Sequence, residues 1–430
     1  MPDYKKKNLK RAGVKRSRTA RAEEIPMSPK STGPAPAKKK GESKKQTKGS
    51  LRVVRGNKLR NRRKAQIISG ILLTVVALVL ILHFSFPTGL FDQIKVWSSS
   101  VGGSQFPVSM AGGNTLTVDK KGSLYYTLSD TMLEGYNGGG KRILKAQHGF
   151  SAPVMRSSAT RTLVFDQGGS GYKLYSAEGV LLEKTTENGI ISGNVSRCGA
   201  FVIATKAQGY ASSVFVDGKN GEQLYQWNSS VELVSDVALS DNGKKLAVAV
   251  FNSNNGEYTS KVYVLTFDSA NPVHTQEYKG EFVYSLQTNL KKGFVAVHTK
   301  GATYTSWGKY VKQSFTTENQ LRMYRGNSKF SLIVTTRSSD KKDNTFTLFN
   351  KKGNEISQIK WEHSITDAAL VGNHILVLSD TELFLLDKSG KIVRKGDAGF
   401  GGVRVVGHSL ENATVISDNL LNKVVLKSEK

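Results

Sequence analysis

The chain has 430 residues, a hydrophobic fraction of 38% and a formal charge of +28, enough for two average domains or one large all-β domain. Residues 1–64 hold 23 Lys or Arg against four acids, a net of +19, while the other 366 residues net only +9. That placement argues against a basic nucleic-acid-binding domain, and one cysteine, Cys198, excludes an internal disulfide or a metal site built on cysteines.

Residues 1–64 show no hydrophobic period and are dense in Lys, Arg, Ser, Pro, Gly and Ala. Such a stretch cannot bury enough apolar area to offset its ordering entropy, so a disordered basic tail is expected. Seven basic residues, with Arg52 and Lys64 at the two ends, fill 52–64. Membrane lipid is their expected partner, each nearby charge contributing about 1 kcal/mol at an anionic surface. Tyr4 is the only aromatic in the tail, so there is no stacking platform and no specific nucleic acid is expected.

From 67 to 82 only Ser69, Gly70 and Thr74 fall outside the strongly apolar class, and Phe84 and Phe86 extend the run to Pro87. A transmembrane helix is expected over 65–86, since about 20 residues span a ~30 Å hydrocarbon core. Sixty-four residues precede the run and no small-x-small pattern follows it, which points to an uncleaved signal anchor rather than a cleaved signal peptide. The positive-inside bias then puts the N-terminus in the cytoplasm and the C-terminal domain outside it, in a single-pass cell-membrane protein. Residues 87–104, with Ser98, Ser99, Ser100, Gly102 and Gly103, are expected to be a spacer.

From 105 to 430 short apolar stretches recur at 124–128, 163–165, 201–204, 246–251, 294–297, 332–335, 375–378 and 414–416. Most are followed by a second short strand, which in several units runs into a polar turn, as at 217–221, 350–354 and 387–391. A repeat of about 42 residues is the size of a four-stranded propeller blade. The expected fold is an all-β propeller of about eight blades, with seven as the alternative count. The eighth unit ends short of an outer strand, and 105–110 is available to supply it and close the ring.

The segments 216–224 (Val-Asp-Gly-Lys-Asn-Gly-Glu-Gln-Leu) and 386–393 (Leu-Asp-Lys-Ser-Gly-Lys-Ile-Val) resemble the repeat of quinoprotein-type propellers. The segment 238–247, around Ser240, Asp241, Asn242, Gly243 and Lys244, is similar to the blade hairpin of the WD-repeat and TolB-like group. The whole layout of basic tail, single anchor and exported propeller resembles the bacterial membrane proteins of the domain of unknown function 5711 family. That resemblance implies the fold and topology above and carries no activity. Tyr225 stands near where a docking tryptophan would be expected, and Trp97, Trp227, Trp307 and Trp361 occupy no regular blade position, which argues against a bound quinone.

Catalytic motifs are missing. His83, His148, His274, His298, His363, His374 and His408 form no paired arrangement on one helix, and each is expected to be solvated or locally hydrogen-bonded. Gly135, Gly140 and Lys141 match a phosphate-loop frame, but Arg142 replaces the magnesium-binding hydroxyl, leaving a glycine-rich turn. Asp236, Asp241 and Asn242 lack calcium-loop spacing. The sequons at Asn194, Asn228 and Asn412 are close to chance. No catalytic, cofactor-binding or metal-ligating residue is assigned, and no cofactor. The expected role is a membrane-anchored, extracytoplasmic protein- or ligand-binding scaffold with an envelope or surface protein as partner. A signal receiver acting through its tail and an exported enzyme are the alternatives. Partner contacts are expected on the loops 252–260 and 337–344.

Overall fold

The computed structural model describes residues 56–85, 90–103, 106–254, 256–288, 292–310, 312–337, 342–417 and 419–429. Helix α1 spans Gly56–Ser85, 30 residues, about 45 Å at 1.5 Å per residue. Its stretch Arg62–Leu82 is long and apolar enough to cross a membrane, and the side chains there are not buried by other parts of the chain. The helix starts inside the segment expected to be disordered. The rest of that segment, 1–55, lies outside the described residues.

Residues 87–104, expected to be a spacer, contain a second helix, α2, at Leu90–Ser99. The polar residues that suggested a linker, Ser98 to Gly103, mark only its end. Ser98 and Ser100 hydroxyls donate to the carbonyls of Lys95 and Trp97, closing the last turn.

The remainder forms eight antiparallel sheets, seven of four strands and one of five. Blades 1 to 8 cover 115–147, 153–185, 190–229, 233–279, 283–316, 320–361, 367–397 and 402–425. Within each blade the strands, here called A to D from the innermost outward, follow chain order. Blade 8 has only three strands of its own, and Val108–Ser109 supplies the fourth, pairing with Leu421 and Leu420. The Met110 amide adds a bond to the Asn419 carbonyl at 2.8 Å. The chain ends thus close the ring as expected, and the count is eight, not seven. Past blade 8 the chain returns to the edge of blade 7, where Lys427–Ser428 pairs with Lys395 and Arg394.

The core is divided among the seams between blades. Eight buried apolar clusters occur, one at each junction. The seam between blades 3 and 4, for example, joins Val202, Val214 and Val216 to Val237, Val248 and Leu265. The turns follow the expected chemistry. Asn350 and Asp387 each accept two backbone N–H groups across their turns, and Gly353 and Gly390 take the positive φ that the tight return needs.

Because each blade has four antiparallel strands, the chain comes back to the same rim after every blade. All A–B and C–D turns therefore lie on one face of the propeller, and all B–C turns and D–A connections on the other. Cross-blade bonds respect this division: the Cys198 amide in the A–B turn of blade 3 donates to Asp241 in the A–B turn of blade 4 at 3.1 Å. Cys198 itself is half-buried and unpaired with any other cysteine.

Candidate functional site

Two places in the fold gather chemistry. The first lies on the D–A/B–C face between blades 4 and 5. There a groove of about 410 Å³ is lined by Tyr278, Lys279, Glu281, His298, Thr303 and Ser314, among others. Strand pairing explains the gathering. Glu281 sits in the connection between the two blades, while His298, Thr303 and Ser314 lie on the second, third and fourth strands of blade 5. In register, Thr303 stands opposite Ser314.

The Glu281 carboxylate lies against His298 Nδ1. His298 Nε2 meets the Thr303 hydroxyl at 3.2 Å, and that hydroxyl meets Ser314 Oγ at 3.2 Å. Burial lowers the His298 pKa from its ordinary value, opposed by Glu281. A neutral ring accepts the Thr303 hydroxyl at Nε2 and turns Nδ1 to the Glu281 carboxylate. Tyr278 packs on the imidazole with ring centroids 5.0 Å apart, and burial pushes its phenol up to about 12.

Carboxylate, imidazole and hydroxyl follow one another in this order across the groove. The hydroxyl on the imidazole, however, belongs to Thr303, which is 2% exposed, and the exposed Ser314 stands one hydroxyl further out. The arrangement therefore orients groove groups and pins the D–A connection to blade 5, and it does not present an activated nucleophile. His298 thus bonds Thr303 five residues ahead and lies against Glu281 in the preceding connection. Glu281 lies 17 residues behind it and Ser314, reached through Thr303, 16 ahead, a spacing that forms no short motif.

The groove's rim is raised by blade 4. Its middle strands, Lys245–Asn254 and Glu257–Thr266, run ten residues each, against five to seven in other blades, so 252–260 is the tip of a paired hairpin and not a loop. Tyr258 on this tip is exposed, and Phe251 meets Phe282 edge-to-face at 5.0 Å beside it. The other expected contact loop, 337–344, lies partly outside the described residues. A glutamate occupies each D–A connection from blade 2 to blade 7: Glu187, Glu232, Glu281, Glu318 and Glu362.

The second place is the seat of α2 on the opposite face. Asp92 accepts from Arg161 in the A–B turn of blade 2 at 3.0 Å, and Lys95 pairs with Glu178 in its C–D turn at 2.8 Å. Val96 packs into the seam of blades 1 and 2. Asn137 at the C–D turn of blade 1 donates to the Gly102 carbonyl at 3.0 Å. In a helix of 100° per residue, Asp92, Lys95, Val96 and Ser99 share one side.

The remaining sequence candidates fall apart. Gly135 lies in a strand of blade 1 while Gly140 and Lys141 lie in the following turn. Asp236 is in the innermost strand of blade 4, away from the turn that holds Asp241 and Asn242. Asn194 is buried in blade 3. Among the described residues no group of three or more His, Cys, Asp or Glu is placed to hold a metal ion. Between blades 5 and 6 an apolar crevice of about 20 Å³, lined by Tyr304, Phe315, Ile333 and Phe349 among others, has room for roughly one water.

Comparison with curated proteins finds no match. Among solved structures, the C-terminal WD40 domain of Sif2 is similar at 10% identity and a TM-score of 0.50, with 76% of this chain and 100% of that one covered. BamB from Moraxella catarrhalis is similar at 11% identity and a TM-score of 0.45, covering 74% and 99%. Saccharomyces cerevisiae Sqt1 is similar at 11% identity and a TM-score of 0.48, covering 74% and 100%. At such an identity the likeness to Sif2 speaks to the propeller fold alone. Residues 109–426, from the closing strand to the end of blade 8, match the model of the family of unknown function DUF5711, and the chain belongs to that family.

Proposed function

We propose that this protein is a membrane-anchored binding platform, with its tail in the cytoplasm and its propeller on the far side of the membrane. The basic run before the apolar helix supports that orientation. The observation that carries the reading is the seat of α2. It ties the A–B/C–D face to the segment that follows the anchor and leaves the D–A/B–C face, with its groove, open to a partner. Glu277, Glu281 and Glu318 near the groove, the raised Tyr258 and the groove hydroxyls suit a protein segment or small ligand that brings amines or other hydrogen-bond donors.

The test is site-specific photo-crosslinking in cells. A crosslinker at Tyr258 or Ser314 is expected to capture a discrete partner, and one at Lys219 or Lys352 on the other face is not. Capture from the second pair alone would overturn the assignment of faces. Orientation is checked separately by cysteine labelling: an impermeant reagent reaches Ser314→Cys in intact cells and Ser43→Cys only after permeabilisation. Loss of function on deleting 5–50 while 52–64 is kept would favour a signal relay over a plain anchor.

A further inference from the structure

We infer that the A–B/C–D face of the propeller, together with the outer side of α2, lies on the surface of an anionic lipid bilayer. The inference rests on the membrane-anchored reading and adds the surface that meets the lipid.

Three observations converge. The first is reach. Only four residues, 86–89, separate the end of α1 from the start of α2, so the chain between them spans no more than about 18 Å. A helix held to the A–B and C–D turns of blades 1 and 2 keeps that face within reach of the point where the anchor leaves the bilayer.

The second is the exposed side of α2. Ile94 and Trp97 are 47% and 69% exposed, and Val101 just past the helix is 58% exposed. At 100° per residue they lie opposite Asp92, Lys95, Val96 and Ser99, which face the propeller. A tryptophan on an apolar stripe beside a membrane anchor is suited to the headgroup boundary, where its ring is half-solvated.

The third is charge. The A–B and C–D turns of blades 3 to 7 carry exposed lysines at Lys219, Lys244, Lys309, Lys329, Lys352 and Lys388, with Lys141 next to α2. Against them in the same turns stand Glu222, Asp241, Asp268 and Asp387, while Glu178 of blade 2 and Glu411 of blade 8 are paired with Lys95 and Arg394. The opposite face has the reverse balance, with its glutamate in each connection from blade 2 to blade 7. A domain charged in this way orients in the field of an anionic membrane with its lysine face inward.

The test uses the full chain in lipid nanodiscs, either of phosphatidylcholine alone or with phosphatidylglycerol added, and reads lysine acylation site by site. Incorporation into both discs establishes the anchor independently of the inference. The expected result is about fivefold slower acylation of Lys219, Lys244, Lys309 and Lys352 in the anionic discs. Lys206 and Lys300, on the far face, keep their rates. About 0.5 M salt restores the slowed sites. Equal rates in both discs, as an anionic partner other than lipid would give, overturn the inference; so does equal slowing on the two faces. For α2, brominated lipid is expected to quench part of the tryptophan emission of the native chain and none of that part in W97F. Unchanged quenching in W97F removes α2 from the contact.

Discussion

Asp236 of blade 4 and Asp367 of blade 7 occupy the same place in their blades and make the same bond to the next one. Each is buried in an innermost strand. Asp236 Oδ2 accepts the Leu286 amide of blade 5 at 2.7 Å, and Asp367 Oδ2 accepts the Val405 amide of blade 8 at 3.0 Å. The other oxygen turns back to the preceding blade, to the Ser192 hydroxyl in one case and the Arg325 guanidinium in the other. Local sequence matches too, Ser-Asp-Val-Ala-Leu at 235–239 against Thr-Asp-Ala-Ala-Leu at 366–370. Each aspartate thus joins three consecutive blades near the axis.

Replacing either aspartate with alanine strands a buried amide and cuts two inter-blade bonds. D236A and D367A are each expected to destabilise the propeller by about 3 kcal/mol. D367A also removes the carboxylate partner of Arg325, which keeps its bonds to the Ala368 and Tyr324 carbonyls. S192A removes one neutral donor and is expected to cost about 1 kcal/mol. Denaturant midpoints of the detergent-solubilised protein check the order. Equal effects of S192A and D236A would show that the bond to Leu286 contributes nothing.

The closing strand depends on a carboxylate outside its own blade. Glu134, 2% exposed in blade 1, accepts the Ala111 amide at 2.9 Å and pairs with Arg142 at 3.1 Å. E134A leaves that amide without its acceptor just past Val108–Ser109. Faster hydrogen exchange is expected at Met110, Ala111 and Leu421, with no change in blades 3 to 5. A uniform rise across all blades would contradict a role confined to the closure.

The same seam responds to acid. His408 lies between blades 8 and 1, with Nε2 on Thr414 Oγ1 at 2.8 Å and its ring beside Tyr125. Burial first, then Lys120 and Lys423, push its pKa down to about 4. Because the folded value is below the unfolded 6.5, its contribution is whole above pH 6.5 and is lost as pH falls toward 4. That gap corresponds to about 3 kcal/mol. His148, His274 and His298 are lowered as well, chiefly by burial, so they slope the same way. Stability measured against pH is expected to fall below 6.5, and H408Q to flatten the fall. An unchanged slope in H408Q would place the sensitivity in the other three.

The two middle strands of every blade were legible in the sequence, and the inner and outer ones were not. Strands such as Phe201–Thr205 and Glu382–Leu386 are covered on both sides by neighbouring blades and read as apolar runs. The innermost strand of blade 6, Gln320–Gly326, carries Arg322 and Arg325, and the outermost of blade 2, Val180–Thr185, is largely exposed. Neither holds the pattern that marks a strand. In the groove, Glu281, His298, Thr303 and Ser314 meet only through strand register, which a short motif does not encode. Helix α2 did leave a signal, since Asp92, Lys95, Val96 and Ser99 have helical spacing. The run of serines at its end and the glycines after it outweighed that signal.

The two ion pairs that seat α2 are expected to differ in weight. Arg161 is nearly buried, and it also bonds the Thr160 carbonyl. Lys95 and Glu178 are both largely exposed, where water and salt screen the pair. R161A removes the buried partner of Asp92 and is expected to speed hydrogen exchange of the α2 amides about tenfold, or about 1.4 kcal/mol of local opening. K95A is expected to change exchange little. The experiment on the full chain in nanodiscs distinguishes the seat from the membrane, because α2 lies between them. If R161A leaves exchange unchanged in lipid but raises it in detergent, the bilayer holds the helix from its other side. If exchange rises equally in both, the propeller alone holds it.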